Sequence, residues 1–139
     1  MYDLMERPDA DWAASHFGGQ EEDWDVVHDG AAIDGDLTAW NQMFAIAEAG
    51  LSTPAAYAQI QQYLDVDEFI DYMVLNLFSY NQDWFGGSKN YYAVRQRTPA
   101  GTFKFIPWDN EHIFDIIGIA RPVDTDLVND FNAAGTASR

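Results

Sequence analysis

Four residues in the second half of the sequence carry oxygen donors in an order that suits a hard cation: Asp83, Asn90, Asp109 and Glu111. Asp83 leaves the end of an apolar helical stretch, Asn90 opens a β-prone run, and Asp109 and Glu111 follow a second such run. A hairpin returns the chain close to where it set out, so a loop holding Asp83 and Asn90 can face a turn holding Asp109. Two carboxylates and an amide oxygen would then converge. Magnesium-like ions take such ligands, with waters and substrate phosphates completing the shell. The order is also that of a phosphoryl-transfer centre. There a loop Asp accepts a hydroxyl proton, an Asn holds metal, and an Asp beyond a hairpin holds metal against the nucleotide phosphates. Asp83 and Asn90 stand seven positions apart, against about five in the H-R-D-x-x-x-x-N pattern. Neither His-Arg-Asp nor Asp-Phe-Gly occurs. On spacing alone a plainer reading stands beside this one: Asp83 caps a turn, Asn90 bonds loop backbone, and Asp109 sits on a solvated turn.

Several elements must position these residues. Phe69-Ile70, Met73-Val74 and Leu77-Phe78 recur at helical spacing after Asp65 or Asp67, and Leu75 and Tyr80 widen the stripe. This predicts a helix buried on several sides that ends just before Asp83. Asn90 to Arg95 and Thr102 to Ile106 predict two strands joined by a turn over Thr98-Pro99-Ala100-Gly101. Upstream, Asp9 is placed to cap a short helix through Phe17 that Gly18-Gly19 ends. Asp36 is expected to cap a second, carrying Leu37, Trp40, Met43, Phe44 and Ala47 up to Gly50. Ser52 is expected to cap a third, with Pro54 in its first turn and Tyr57, Ile60 and Leu64 on one face. Met1 to Met5 alternates weakly, as a short strand would. Between these elements Val26-Val27 is a short apolar pair, and Asp29-Gly30 and Asp34-Gly35 are turn dipeptides.

The 139 residues suit one domain with a real core, since 47% are hydrophobic and 15% aromatic. The charge is lopsided, with Lys+Arg 7 against Asp+Glu 23 and a net −16. Such a chain repels nucleic-acid phosphates and anionic membranes at long range, and attracts cations or basic proteins. Solubility in a salty or extracellular setting is the plainest reason for the charge. With no cysteine, disulfides, thiolate zinc sites and a catalytic thiol are excluded. No apolar run approaches the roughly 20 residues of a membrane span.

The blocks Asn81-Gln82-Asp83-Trp84, Asn90-Tyr91-Tyr92 and Phe103-Lys104-Phe105-Ile106-Pro107-Trp108-Asp109-Asn110-Glu111, in this order, resemble the signature of the spore coat protein H (CotH) kinase family. Tyr2 to Asp9 is similar to the family's strand between lobes, and Leu64 to Tyr72 to its helix before the catalytic loop. The resemblance implies an α+β, atypical protein-kinase-like C-terminal lobe, mostly helical, with a β-hairpin carrying the metal site. It implies ATP and Mg2+ or Mn2+ as cofactors and a protein substrate phosphorylated on hydroxyl side chains. Asp83 would be the base, Asn90 and Asp109 would hold metal and nucleotide, Glu111 would be a second acidic ligand, and Glu6 would lie at the nucleotide edge. Extracellular, cell-surface or spore-coat placement follows from the same resemblance. Residues 1–121 would be a C-lobe fragment, inactive without the N-terminal lobe of the same protein, and 122–139 a polar tail. The insertion Phe85-Gly86-Gly87-Ser88-Lys89 departs from the family's loop.

Lys89, Arg95 and Lys104 are the cations nearest the candidate site in sequence, and read as solvated or strand-pairing. His16, His28 and His112 lack metal-motif spacing, and His112 beside Glu111 reads as surface or outer-sphere. Trp40 reads as core, while Trp84 and Trp108 could wall a cleft. Two rival functions remain open at this level: a non-catalytic cell-surface or spore-coat binding module, and a domain whose bound metal is structural.

Overall fold

The computed structural model describes residues 5–81, 84 and 90–114. Its centre is a four-stranded antiparallel sheet of β1 (Trp24–His28), β2 (Ala31–Asp34), β3 (Tyr91–Gln96) and β4 (Lys104–Pro107), in the order β2-β1-β3-β4. Four helices among the described residues surround it: α1 (Ala10–Phe17), α2 (Thr38–Ala49), α3 (Pro54–Ile60) and α4 (Val66–Ser79). The architecture is α+β, as expected. The expected strand at the amino terminus falls mostly on residues outside the description, and residues 5–8 are not in a strand.

The sheet separates two apolar layers. On one face Val27, Tyr91, Ala93 and Phe103 pack with Trp40, Met43, Ile60 and Tyr72 from the helices after β2. On the other, Trp24, Val26, Tyr92 and Val94 pack with Ala10 and Ala13 of α1. This two-sided burial explains why β1 and β3 carry so few polar side chains. Trp40, 3% exposed, is core as read from its spacing.

The hairpin β3–β4 forms in the expected place, with Tyr91 opposite Pro107 and Val94 opposite Lys104. The partner strands β1 and β2 correct the sequence reading, which had only an apolar pair and two turns there. Asp29 and Gly30 both have positive φ, 53° and 73°, and join the two strands in a two-residue turn. That backbone suits Asp-Gly, and its right-handed twist matches the flanking strands.

Helix starts follow local chemistry. Asp9 accepts from Trp12 N at 2.9 Å and Asp65 from Glu68 N at 3.2 Å, both as N-caps. Two caps are corrected by one residue. Thr53, not Ser52, caps α3, and the residue at the cap of α2 is Leu37, with Asp36 accepting from Thr38 N just before it.

The face of α4 is also corrected. It buries Tyr72, Asn76 and Ser79, with Phe69, Met73 and Leu77 only partly covered, whereas Ile70, Val74, Leu75 and Phe78 are 50–60% exposed. The helical period holds, but the helix lies on the sheet along one stripe and is not enclosed.

A tight approach fixes the start of α2. Gly35 has φ +69°, and a Cβ there would overlap the Asp25 carboxylate and lie 2.9 Å from the Trp24 carbonyl oxygen. Gly35→Ala is therefore expected to destabilise the fold by more than about 1 kcal/mol, read from urea unfolding, since alanine has neither the backbone freedom nor the room.

Candidate functional site

The end of the sheet where β3 begins and β4 finishes gathers the candidate residues. Asn90 precedes β3, and its carbonyl accepts from Trp108 N at 3.2 Å, one step past the regular ladder. Its side-chain Nδ2 donates to the Asp109 carbonyl at 3.2 Å. A carbonyl can only accept, so this bond fixes which way the amide points and leaves Oδ1 as the atom that could accept a further bond or meet a cation. Asn90 and Asp109 are thus brought together as the hairpin argument required. Asp83 lies outside the described residues.

Asp109 has φ +55°, a left-handed conformation that Asp tolerates better than most side chains. Pro107 ends β4 and the left-handed residue turns the chain away, which leaves Asp109 exposed at the tip. Glu111 is on the same turn, 55% exposed, with His112 Nε2 3.9 Å from its carboxylate. Among the described residues no three His, Asp or Glu side chains gather as a metal cluster. The candidate oxygen donors are the Asn90 amide beside the turn and the Asp109 and Glu111 carboxylates on it, without sulfur. Such a set fits a hard divalent ion whose shell is completed by water or phosphate, and does not fit a thiophilic metal.

The turn is anchored to α4. Phe114 N donates to the Ser79 carbonyl at 2.9 Å. Asn110 Oδ1 accepts from the buried Asn81 at 2.7 Å. The sequence reading placed Asn81 and Asn110 in its motif blocks but gave them no role, because uncharged amides in a polar loop carry no spacing signal of their own.

Glu6 is exposed, in the segment leading to α1. Its neighbour Arg7 donates from Nε to the Tyr92 hydroxyl at 3.1 Å. Tyr92 stacks on His28 at 4.2 Å and meets Trp108 edge-on at 5.2 Å. The segment therefore passes the same end of β3 that carries Asn90. Trp108 packs in the α1 layer, and Trp84 packs against Tyr72 in the opposite layer. The two tryptophans flank different faces of the sheet and do not form one wall.

The described cations are engaged elsewhere. Lys104 pairs with Glu68 at 2.7 Å, Arg95 lies 3.5 Å and Arg97 3.4 Å from Asp25, and Arg95 Nε also donates to the Gly101 carbonyl. Arg95 has the strand-pairing role read from the sequence, Lys104 instead ties β4 to α4 through Glu68, and Lys89 lies outside the described residues. The Asp25–Arg95–Arg97 group borders a cavity of about 320 Å³ with Thr38, Gln42 and Tyr63, at the other end of β3 from Asn90.

Two tyrosines under the site are strongly perturbed. Burial, with a smaller contribution from the Asp29 charge, pushes the Tyr91 hydroxyl up to about 12. Burial likewise raises Tyr72 well above the ordinary tyrosine value. Unfolded tyrosines ionise near pH 10, while these two stay protonated in the folded state. Above that pH the unfolded chain binds fewer protons than the folded one, so stability falls as pH rises from about 10 toward about 12. Melting temperature followed from pH 8 to 11 should drop over the upper part of that range, and Tyr91→Phe should shrink the drop.

No helix among the described residues is long and apolar enough to cross a membrane. A family model described as CotH kinase protein matches residues 1–133. No curated protein and no solved structure matches the chain.

Proposed function

From the premise that this chain belongs to the CotH kinase protein family, we propose that it forms the metal-binding lobe of an atypical protein kinase that moves phosphate from ATP to protein hydroxyls. The observation that carries this reading is the bond from the Asn90 side chain to the Asp109 backbone, which sets the Asn90 amide beside the turn that bears Asp109 and Glu111. In this reading Asn90 and Asp109 hold Mg2+ or Mn2+ against the nucleotide phosphates, and Glu111 adds a third oxygen. A bound divalent ion would neutralise charge on the transferring phosphoryl group. Asp83 is the base that orients the acceptor hydroxyl and takes its proton. Glu6 lies at the nucleotide edge.

Phosphoryl transfer is mostly positioning and charge neutralisation. Arg7, Arg95, Arg97 and Lys104 are each engaged with other groups. We propose that cations facing the phosphates come from an N-terminal lobe acting together with this one, and expect this chain alone to transfer phosphate poorly.

The half-exposed apolar face of α4, with Ile70, Val74, Leu75 and Phe78, favours a second reading, a surface that binds a partner without catalysis. Melting and transfer assays on the full-length protein separate these readings. Phosphate transfer that requires both ATP and divalent metal supports the kinase. A metal-dependent rise in melting temperature without transfer marks a structural ion, and neither effect leaves the binding surface.

A further inference from the structure

We propose that Asn81 is the positioning residue of the Asn90–Asp109 site, holding the acidic turn against α4 through both hydrogens of one amide nitrogen. The inference rests on the metal-site reading above and deepens it.

Asn81 is fully buried, and its side chain meets three elements. Nδ2 donates to Asn76 Oδ1 at 3.0 Å and to Asn110 Oδ1 at 2.7 Å, while Oδ1 accepts from Trp84 N at 3.3 Å. The orientation of the chain of amides is set at its far end. Asn76, 1% exposed, donates from Nδ2 to the Tyr72 carbonyl at 2.9 Å. A carbonyl only accepts, so the Asn76 amide cannot flip, and its oxygen must face Asn81. Asn81 then has to present its NH2 group, and the remaining hydrogen selects the oxygen of Asn110.

The consequence falls on Asp109. Its own carbonyl is taken by Asn90 Nδ2 and the next side chain by Asn81, so its peptide is gripped from both sides. A left-handed residue at a turn tip has no regular ladder to hold it, and these two bonds supply that hold. The two buried amides, Asn76 and Asn81, are costly unless each is satisfied. Here the satisfied set connects helix to turn across 29 positions of sequence. An Asn that only filled the core would have no reason to reach Asn110. Asn81 does not touch metal or substrate in this account. It acts through the orientation of Asp109, as outer ligands commonly orient inner ones.

The test uses the full chain, with Mn2+ alone and Mn2+ with ATP as probes, read by electron paramagnetic resonance. Asn81→Ala should weaken Mn2+ binding roughly 10–100-fold. Asn110→Ala, on the partly exposed turn, should do the same with little change in melting temperature, which covers the case in which Asn81→Ala fails to fold. In the full-length protein both variants should raise the metal concentration needed for half-maximal transfer and leave KM for the acceptor unchanged. If Asn110→Ala binds Mn2+ as the parent does while Asp109→Ala does not, Asn81 is merely structural and the inference is overturned. If Asp109→Ala also binds like the parent, the metal-site reading itself falls and takes the inference with it.

Discussion

Asp109→Ala is expected to lose metal–nucleotide binding while keeping its fold. The side chain is exposed at the tip of the turn, so no packing is removed. The backbone bond that its carbonyl accepts from Asn90 does not depend on the side chain. Alanine at φ +55° is somewhat less comfortable than aspartate, a cost of about 1 kcal/mol that lowers the melting temperature by a few degrees. Binding should respond far more strongly, because the variant loses one of the two carboxylates at the turn and leaves one amide oxygen and the exposed Glu111 carboxylate for an ion that takes one or two carboxylates plus waters and phosphates. Calorimetric titration with Mn2+ and a non-hydrolysable ATP analogue should give measurable binding for the parent and none for the variant. Equal heats in the two proteins would place the ion elsewhere.

The largest effect on stability is expected at Asp25. Its side chain is 2% exposed, lies 3.4 and 3.5 Å from two guanidiniums, and accepts from Asp36 N at 3.0 Å. Asp25→Ala would strand Arg95, whose side chain is only 12% exposed, and free the amide that starts the approach to α2. Breaking a buried ion pair by deleting one partner costs about 3–5 kcal/mol, largely because the remaining charge stays buried. Arg97, at 36% exposed, can turn to water and holds the value toward the lower end. Urea unfolding measures it. A loss under about 1 kcal/mol would mean that the cluster is a surface feature. The proposed metal site at the Asn90–Asp109 turn lies at the opposite end of β3, and Mn2+ binding there should be as before in the folded fraction.

What was legible in the sequence was local. Asp9 and Asp65 announce helix starts because a cap bonds within three residues. The β3–β4 hairpin could be read because β-prone runs flank a turn. The strand β1 escaped notice because it carries a charge at Asp25, made tolerable by distant partners, Arg95 and Arg97 on or just after β3 and the Asp36 amide. The Asp29-Gly30 dipeptide was the available signal, since two positive φ values at such a pair join a hairpin. In α4 the apolar period was correct, yet periodicity says which residues share a face and not what covers it. Tyr72, Asn76 and Ser79 took the inner stripe because the helix end meets the acidic turn through amides. The Asn90–Asp109 approach was legible from hairpin geometry. The Asn81 link, joining helix to turn, was not, because its partners are set by tertiary packing.

In the proposed function this chain serves metal-dependent phosphate transfer from ATP, with Asp83 as base. Transfer of γ-labelled phosphate from ATP to protein hydroxyls by the full-length protein tests it most directly. The parent should label its acceptor only with Mg2+ or Mn2+ present. Asp83→Asn should keep nucleotide binding and slow transfer roughly 10²–10⁴-fold, and Asp109→Ala should fall to background. Label incorporated equally by the parent and both variants, or by none of them under any metal, would contradict the account.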